Sequence, residues 1–246
     1  SNARLDHEAL PGSYAARNRG IAIAQGEIIA FTDADCLPEP DWLLWGVREL
    51  QRVPNCGQVI GNVKLFFANP RQPTPVELYE FITAFPQERL LKEHHGGATA
   101  NLFTWKKVVE TVGMFDAQLK SNGDLEWGQR VYAHGYQQVY VDTLVVKHPT
   151  RSSWRELCSR TRRLVGGNYD LKLKKARTNW QRQVIFIRTL LYHLMPPVFF
   201  TVNAFGDRRL QSVDQKLKVS GVMVLVRSIS AWETVRLRLG KASSRV

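Results

Sequence analysis

The 246-residue chain is long enough to bury a core in one domain, or in one domain with an appendage. With 44% hydrophobic and 23% charged residues it has the composition of a globular protein, which excludes wholesale disorder. A net charge of +12 directs it towards anionic partners, while Cys36, Cys56 and Cys158 are odd in number and far apart, which excludes a disulfide framework or C-x-x-C metal spacing and fits reduced thiols in a cytosolic compartment.

Ser1-Asn2-Ala3 reads as a scar left by removal of an expression tag, with natural sequence from Arg4 onward and trimmed at its start. Residues 14–26 predict a short helix ended by Gly26, and the compact apolar run 27–32 predicts a buried parallel strand. Pro38 and Pro40 then break the chain, and Asp41 stands where it can cap a helix from Trp42 to about Arg52. A strand over 57–67, a proline-rich loop over 68–75 and an amphipathic helix over 76–93 follow. Next come a turn at His94–Gly97, a strand within 98–105, helices over 106–113 and 124–134, and a β-branched, aromatic strand from Tyr136 to Val146. This order is α/β. Beyond residue 150 long helical patterns take over. The segment Arg151–Arg188 is basic and holds only Glu156 and Asp170 as acids, residues 189–206 carry no formal charge, and 217–239 is amphipathic. Pro196-Pro197 inside the uncharged run argues against a clean transmembrane span and for a broken or interfacial segment.

The chemistry centres on Asp33-x-Asp35, placed where the strand 27–32 ends. In open α/β sheets ligands collect at such strand ends. Two carboxylates one residue apart share a hard divalent cation and leave positions for phosphate oxygens, where the metal neutralises the charge on a departing diphosphate. Asp-x-Asp is also common by chance in loops, so its surroundings decide the reading.

Those surroundings resemble family 2 glycosyltransferases of the GT-A fold. The stretch Ala16-Arg17-Asn18-Arg19-Gly20-Ile21, then Gly26-Glu27-Ile28-Ile29-Ala30-Phe31-Thr32-Asp33-Ala34-Asp35 with Pro38, Pro40 and Trp42, follows that family's order and spacing. So do Gly97-Ala98-x-x-Asn101 with Val112-Gly113-Met114-Phe115-Asp116, then Asn122-Gly123-Asp124-Leu125-Glu126 with Arg130, then Gly135-Tyr136 through Val146-Lys147-His148. These ordered matches cover residues 14–148 and are specific together, though each alone is weak.

The resemblance implies a GT-A, nucleotide-diphospho-sugar transferase type sheet flanked by helices over residues 4–150, and a basic helical region over 151–246 that favours a membrane surface. These enzymes begin with two further βα units that read the nucleobase. Nothing before Ala15 resembles them, so the sheet is expected to lack those strands and the base-binding half of the site. The implied activity is inverting transfer of a sugar from a nucleotide-diphosphate donor to an acceptor hydroxyl, on a cell-envelope glycan or lipid-linked saccharide at the cytoplasmic face of the membrane. Asp124 is implied as general base, Asp35 and His148 as ligands of Mg or Mn, and Arg17, Asn18 and Asp33 as donor-binding residues. Arg163 is the arginine of the 152–167 segment set against the diphosphate. The family's usual Glu before the base is Gly123 here, and Glu126 is a rival base that helical geometry turns away from Asp124. Trp105 and Trp127 flank these motifs and fit core packing better than sugar stacking. The alternatives are a basic membrane- or nucleic-acid-binding module with a degenerate α/β core, for which no nucleic-acid motif speaks, and a Mg-dependent nucleotidyltransferase, whose Gly-rich first loop is missing.

Overall fold

The structure is a computed structural model that describes residues 3–243; the first two positions of the expected tag scar and residues 244–246 lie outside the described residues. In chain order the elements are α1 (Ser13–Ile23), β1 (Ile28–Thr32), β2 (Leu37–Pro38), α2 (Trp42–Arg52), β3 (Cys56–Phe66), α3 (Pro75–Thr83), α4 (Gln87–His94) and β4 (Asn101–Trp105). They continue as α5 (Lys106–Val112), α6 (Gly123–Ala133), β5 (Gln137–Pro149), α7 (Trp154–Lys174), α8 (Asn179–Leu194), α9 (Val198–Gly206) and α10 (Val213–Arg238). Two compact units result: the chain up to Phe66 together with Phe85–Pro149, and Phe67–Ala84 together with the chain from Thr150.

The first unit is a mixed sheet in the order β1-β4-β3-β5-β2. β3 and β5 run parallel at its centre, and the other neighbours are antiparallel. β3 is buried along most of its length, as a strand covered on both faces must be. The amphipathic α2 lays Trp42 and Leu50 on the sheet, in a core with Val59, Phe103, Leu144 and Val146. Gly46 makes this close approach possible, because a Cβ there would run into the Phe103 ring.

The apolar run at 27–32 does form a strand, but β1 pairs antiparallel with β4 instead of lying between parallel neighbours. Its unbroken hydrophobicity has another cause: Ile29 and Phe31 are buried on one face, with Phe31 edge-on to Phe115, while Ile28 and Ala30 pack on the α2 core from the other. The Leu37–Pro38 pairing was hidden by its proline, which an edge strand tolerates because it need not donate to the ladder. The single helix expected over 76–93 is two helices. Pro86 disfavours helical geometry at Phe85, which takes a left-handed φ of 49°, so α3 and α4 separate and fall into different units.

The second unit is helical. α10 packs against α3, α7, α8 and α9 around Val76, Tyr79, Leu157, Leu210, Val219 and Val222. The amphipathic 217–239 stretch is therefore largely a packing element. α3, α7 and α8 each begin with a complete capping box, Thr74/Glu77, Ser153/Glu156 and Thr178/Gln181, worth about 1 kcal/mol per cap. Glu80, 1% exposed, faces two arginines, Arg151 at 2.8 Å and Arg160 at 3.2 Å, the charge neighbours a buried carboxylate requires.

Candidate active site

The first unit gathers the sequence-predicted acids through α1 and the strand ends. After β1 the chain turns at Asp33, with the Cys36 amide donating to the Asp33 carbonyl at 3.0 Å. β2 then pairs with β5, Leu37 opposite Lys147, and this register carries Asp35 to His148. The His148 Nε2 lies 3.4 Å from Asp35 Oδ2. Its Nδ1 lies 2.6 Å from the Pro149 carbonyl, which can only accept, so Nδ1 carries a proton and Nε2 is the ring nitrogen turned towards Asp35. One ligand atom each from Asp33, Asp35, Cys36 and His148 lie within 4.8 Å of one another. Two carboxylate oxygens and an imidazole nitrogen with its other nitrogen already anchored are a fitting donor set for a divalent transition metal. Asp35 is the exposed member, with 58% of its side chain open to solvent, and His148 the buried one at 5%. Burial raises the Cys36 thiol above its ordinary pKa.

Asp124 sits in the first turn of α6. Burial raises its carboxyl above the usual carboxylate range, and the nearby positive charge of Arg17 opposes that rise. The same Arg17 pairs with Asp33 at 2.8 Å, 19% exposed. Tyr14, one turn earlier on α1, lies 3.5 Å from Asp124 Oδ1 through its hydroxyl, which also accepts from the Gly123 amide at 2.9 Å. Helix α1 thus ties the Asp33–Asp35 turn to the Asp124 turn through Arg17 and Tyr14. Burial and the neighbouring Asp124 push the Tyr14 phenol up, so it stays neutral. Position 123 has no room for a side chain: a Cβ there would lie 2.8 Å from the Tyr14 ring.

Other sequence-predicted residues are engaged elsewhere. Both ends of the Asn18 amide are taken by Phe115, donating to its carbonyl at 2.8 Å and accepting from its amide at 3.0 Å. Asn18 therefore holds the 113–116 loop instead of presenting its amide to a donor. Glu126, the rival base, is gripped by Arg130 at 2.8 and 3.1 Å, and Arg130 also donates to the Val112 and Met114 carbonyls. Trp127 is fully buried with its indole donating to the Gly113 carbonyl, so it is core. Arg163 lies half-buried on α7, in the second unit. Asn101 of the acceptor-side motif is structural as well. Its amide donates to the Asn62 and Leu144 carbonyls at 2.9 and 2.8 Å where the β3–β5 register shifts, and it accepts from the Trp42 indole. Tyr14 and Cys36 were missed as neighbours of the acids. Nothing in the local sequence places Tyr14 beside a residue 110 positions away, and a cysteine with no partner at metal spacing carries no signal.

Residues 4–113 match the family model described as glycosyl transferase family 2. Over 140 residues the chain is 37% identical to the glycosyltransferase AglE of Haloferax volcanii, a match covering 57% of this chain and 45% of that relative, so the chain spans less than half of the relative's length. Among solved structures, the mannosyltransferase PcManGT from Pyrobaculum calidifontis, in complex with GDP-Man and Mn2+, is similar in fold with a TM-score of 0.55, covering 94% of this chain and 67% of that one at 16% identity. Over residues 4–113 the chain is thus similar to glycosyl transferase family 2, and its sheet flanked by helices is of the GT-A type.

Proposed function

We propose that the chain is the catalytic part of an inverting glycosyltransferase that moves a sugar from a nucleotide-diphosphate donor to an acceptor hydroxyl on a cell-envelope or lipid-linked glycan. The observation that carries this reading is the link made by α1: Arg17 pairs with Asp33 beside the candidate metal ligands, and the same residue and Tyr14 reach Asp124. Asp35 and His148, beside Asp33, would hold a divalent cation, Mn or Mg. A bound cation would supply positive charge for the diphosphate that leaves.

Asp124 does the proton work. Its carboxylate takes the proton of the acceptor hydroxyl as that oxygen attacks the anomeric carbon. The carbon–oxygen bond to the donor diphosphate breaks on the opposite side, and its electron pair leaves with the nucleoside diphosphate. A carboxyl whose pKa is lifted by burial is a stronger base once ionised than a solvated one, and Arg17 keeps the ionised form accessible. Arg17 also fixes Asp33 beside the candidate metal ligands.

Incubation with a panel of nucleotide sugars and saccharide acceptors, in the presence of Mn2+ or Mg2+, tests the reading. Transfer product with an inverted anomeric centre and release of nucleoside diphosphate is expected. Released pyrophosphate instead would point to nucleotidyl transfer. Asp35→Ala should abolish metal-dependent donor binding measured by calorimetry, whereas Asp124→Asn should keep it and lose transfer. Full turnover by Asp124→Asn would remove the residue from the mechanism.

A further inference from the structure

The second unit carries an apolar surface that its own core does not use. No residue of α8 is buried, although the helix holds Ile, Leu, Phe and Val along its length. Among its exposed large residues are Trp180 at 76%, Ile187 at 51%, Leu191 at 56% and Leu194 at 63%. Their spacings of seven, four and three place them in a single stripe along one side of the helix. After the Pro196-Pro197 break the stripe is taken up by α9, where Val198 is 60%, Phe199 89% and Val202 63% exposed. Charge rims this surface instead of crossing it. Arg188 is exposed on α8 beside the stripe, Arg208 is exposed after α9, and Lys172, Lys175 and Trp180 line a cavity of about 290 Å³ where α7 gives way to α8.

We propose that α8 and α9 lie in the surface of an anionic lipid bilayer as a monotopic anchor, with the stripe from Trp180 to Val202 facing the acyl chains and the basic rim facing lipid phosphates. Three observations choose this occupant. The apolar residues point outward in a stripe, which is the pattern of a helix lying in the interface plane. No single described helix is long and apolar enough to cross a membrane; α8 and α9 together meet the length and composition of a span only with a bend of 45° between them. The rim is basic, which complements an anionic leaflet, where each well-placed Lys or Arg strengthens binding about fivefold. A tryptophan at the lysine-lined end of the stripe fits the headgroup level, where an indole is apolar on its face and polar at its edge. The surface extends nine residues upstream of the uncharged 189–206 run.

The full chain is tested by co-sedimentation with phosphatidylcholine vesicles containing anionic phosphatidylglycerol, at low and high salt. Binding to anionic vesicles that weakens with salt and persists in part is expected. Leu191→Asp with Phe199→Asp should weaken partitioning by at least about tenfold. Arg188→Glu with Arg208→Glu should abolish the preference for phosphatidylglycerol while leaving residual binding to neutral vesicles. All the substituted positions are solvent-exposed, so unchanged circular dichroism and thermal midpoint are the expected controls. A chain that stays in the supernatant at both salts overturns the proposal, as does undiminished binding by the double aspartate variant. Self-association seen by light scattering without vesicle binding, and abolished by Phe199→Asp, would assign the surface to a second copy of this chain instead. None of these readouts depends on sugar transfer, so failure here leaves the catalytic reading standing.

Discussion

The two units place similar side chains in opposite ways. In the first, aromatic residues are spent inward: Phe103 and Trp127 are fully buried, and polar groups such as Asn101 and Asn18 are bound to backbone that would otherwise lack partners. In the second, α10 and α3 supply the core, while α8 and α9 turn Trp180 and Phe199 outward. Hydropathy alone cannot separate these uses, because a core helix and an interfacial helix are both rich in Leu, Ile and Phe. What separates them is which neighbours complete the layer.

Substitutions that exploit this contrast have graded effects. The largest is catalytic and confined to the first unit: Asp124→Asn is expected to lower transfer by about 10²–10⁴-fold in a steady-state assay, the usual worth of a general base. Next, the two aromatic populations should respond differently to truncation. Phe103→Ala should cost about 3–5 kcal/mol in a denaturant titration, whereas Phe199→Ala should stay within about 0.5 kcal/mol in the absence of lipid. Equal costs at the two positions would erase the contrast between the units. A smaller effect concerns pH. Arg17 lowers the Asp124 carboxyl against the raising effect of burial, so removing it in Arg17→Gln lets the carboxyl titrate at higher pH. The acid limb of the rate profile should therefore move to higher pH; a limb that stays in place would detach Arg17 from Asp124. The smallest effect is on stability. A carboxyl raised on folding penalises the native state once pH passes its unfolded pKa, and fully so above the folded one. Asp124→Asn removes that penalty at neutral pH, so Tm should rise, by about 2–4 °C for each kcal/mol released. A fall in Tm would show Asp124 to be stabilising.

Much of this was legible in the residues because it is local. β1 and the acids beyond it, α2 behind its prolines, and α6 with Asp124 in its first turn all announce themselves by period, cap and breaker. Long-range partners do not. The antiparallel setting of β1 depends on β4, whose residues pair with it from 69 to 77 positions away. The clamp of Asn18 on Phe115 spans 97 positions, so a motif residue that looks ready for a ligand was in fact committed to the chain. The break at Phe85 was visible as a proline, yet its larger result, sending α3 to a different unit from α4, depends on which core accepts Val76 and Tyr79. The outward stripe on α8 has the right spacing in the sequence, but spacing does not say whether a stripe faces protein or solvent.

The contact between Tyr14 and Gly123 has a consequence for how this site can be altered. The phenol ring occupies the volume that any side chain at 123 would need, and its hydroxyl answers the amide of the same residue. The two positions are therefore not independent variables. A library randomising residue 123 alone should return glycine, whereas one that also frees residue 14 should recover acids at 123 paired with small residues at 14. Reshaping the ground beside the base is thus a trade of bulk between α1 and α6, settled by both together or not at all.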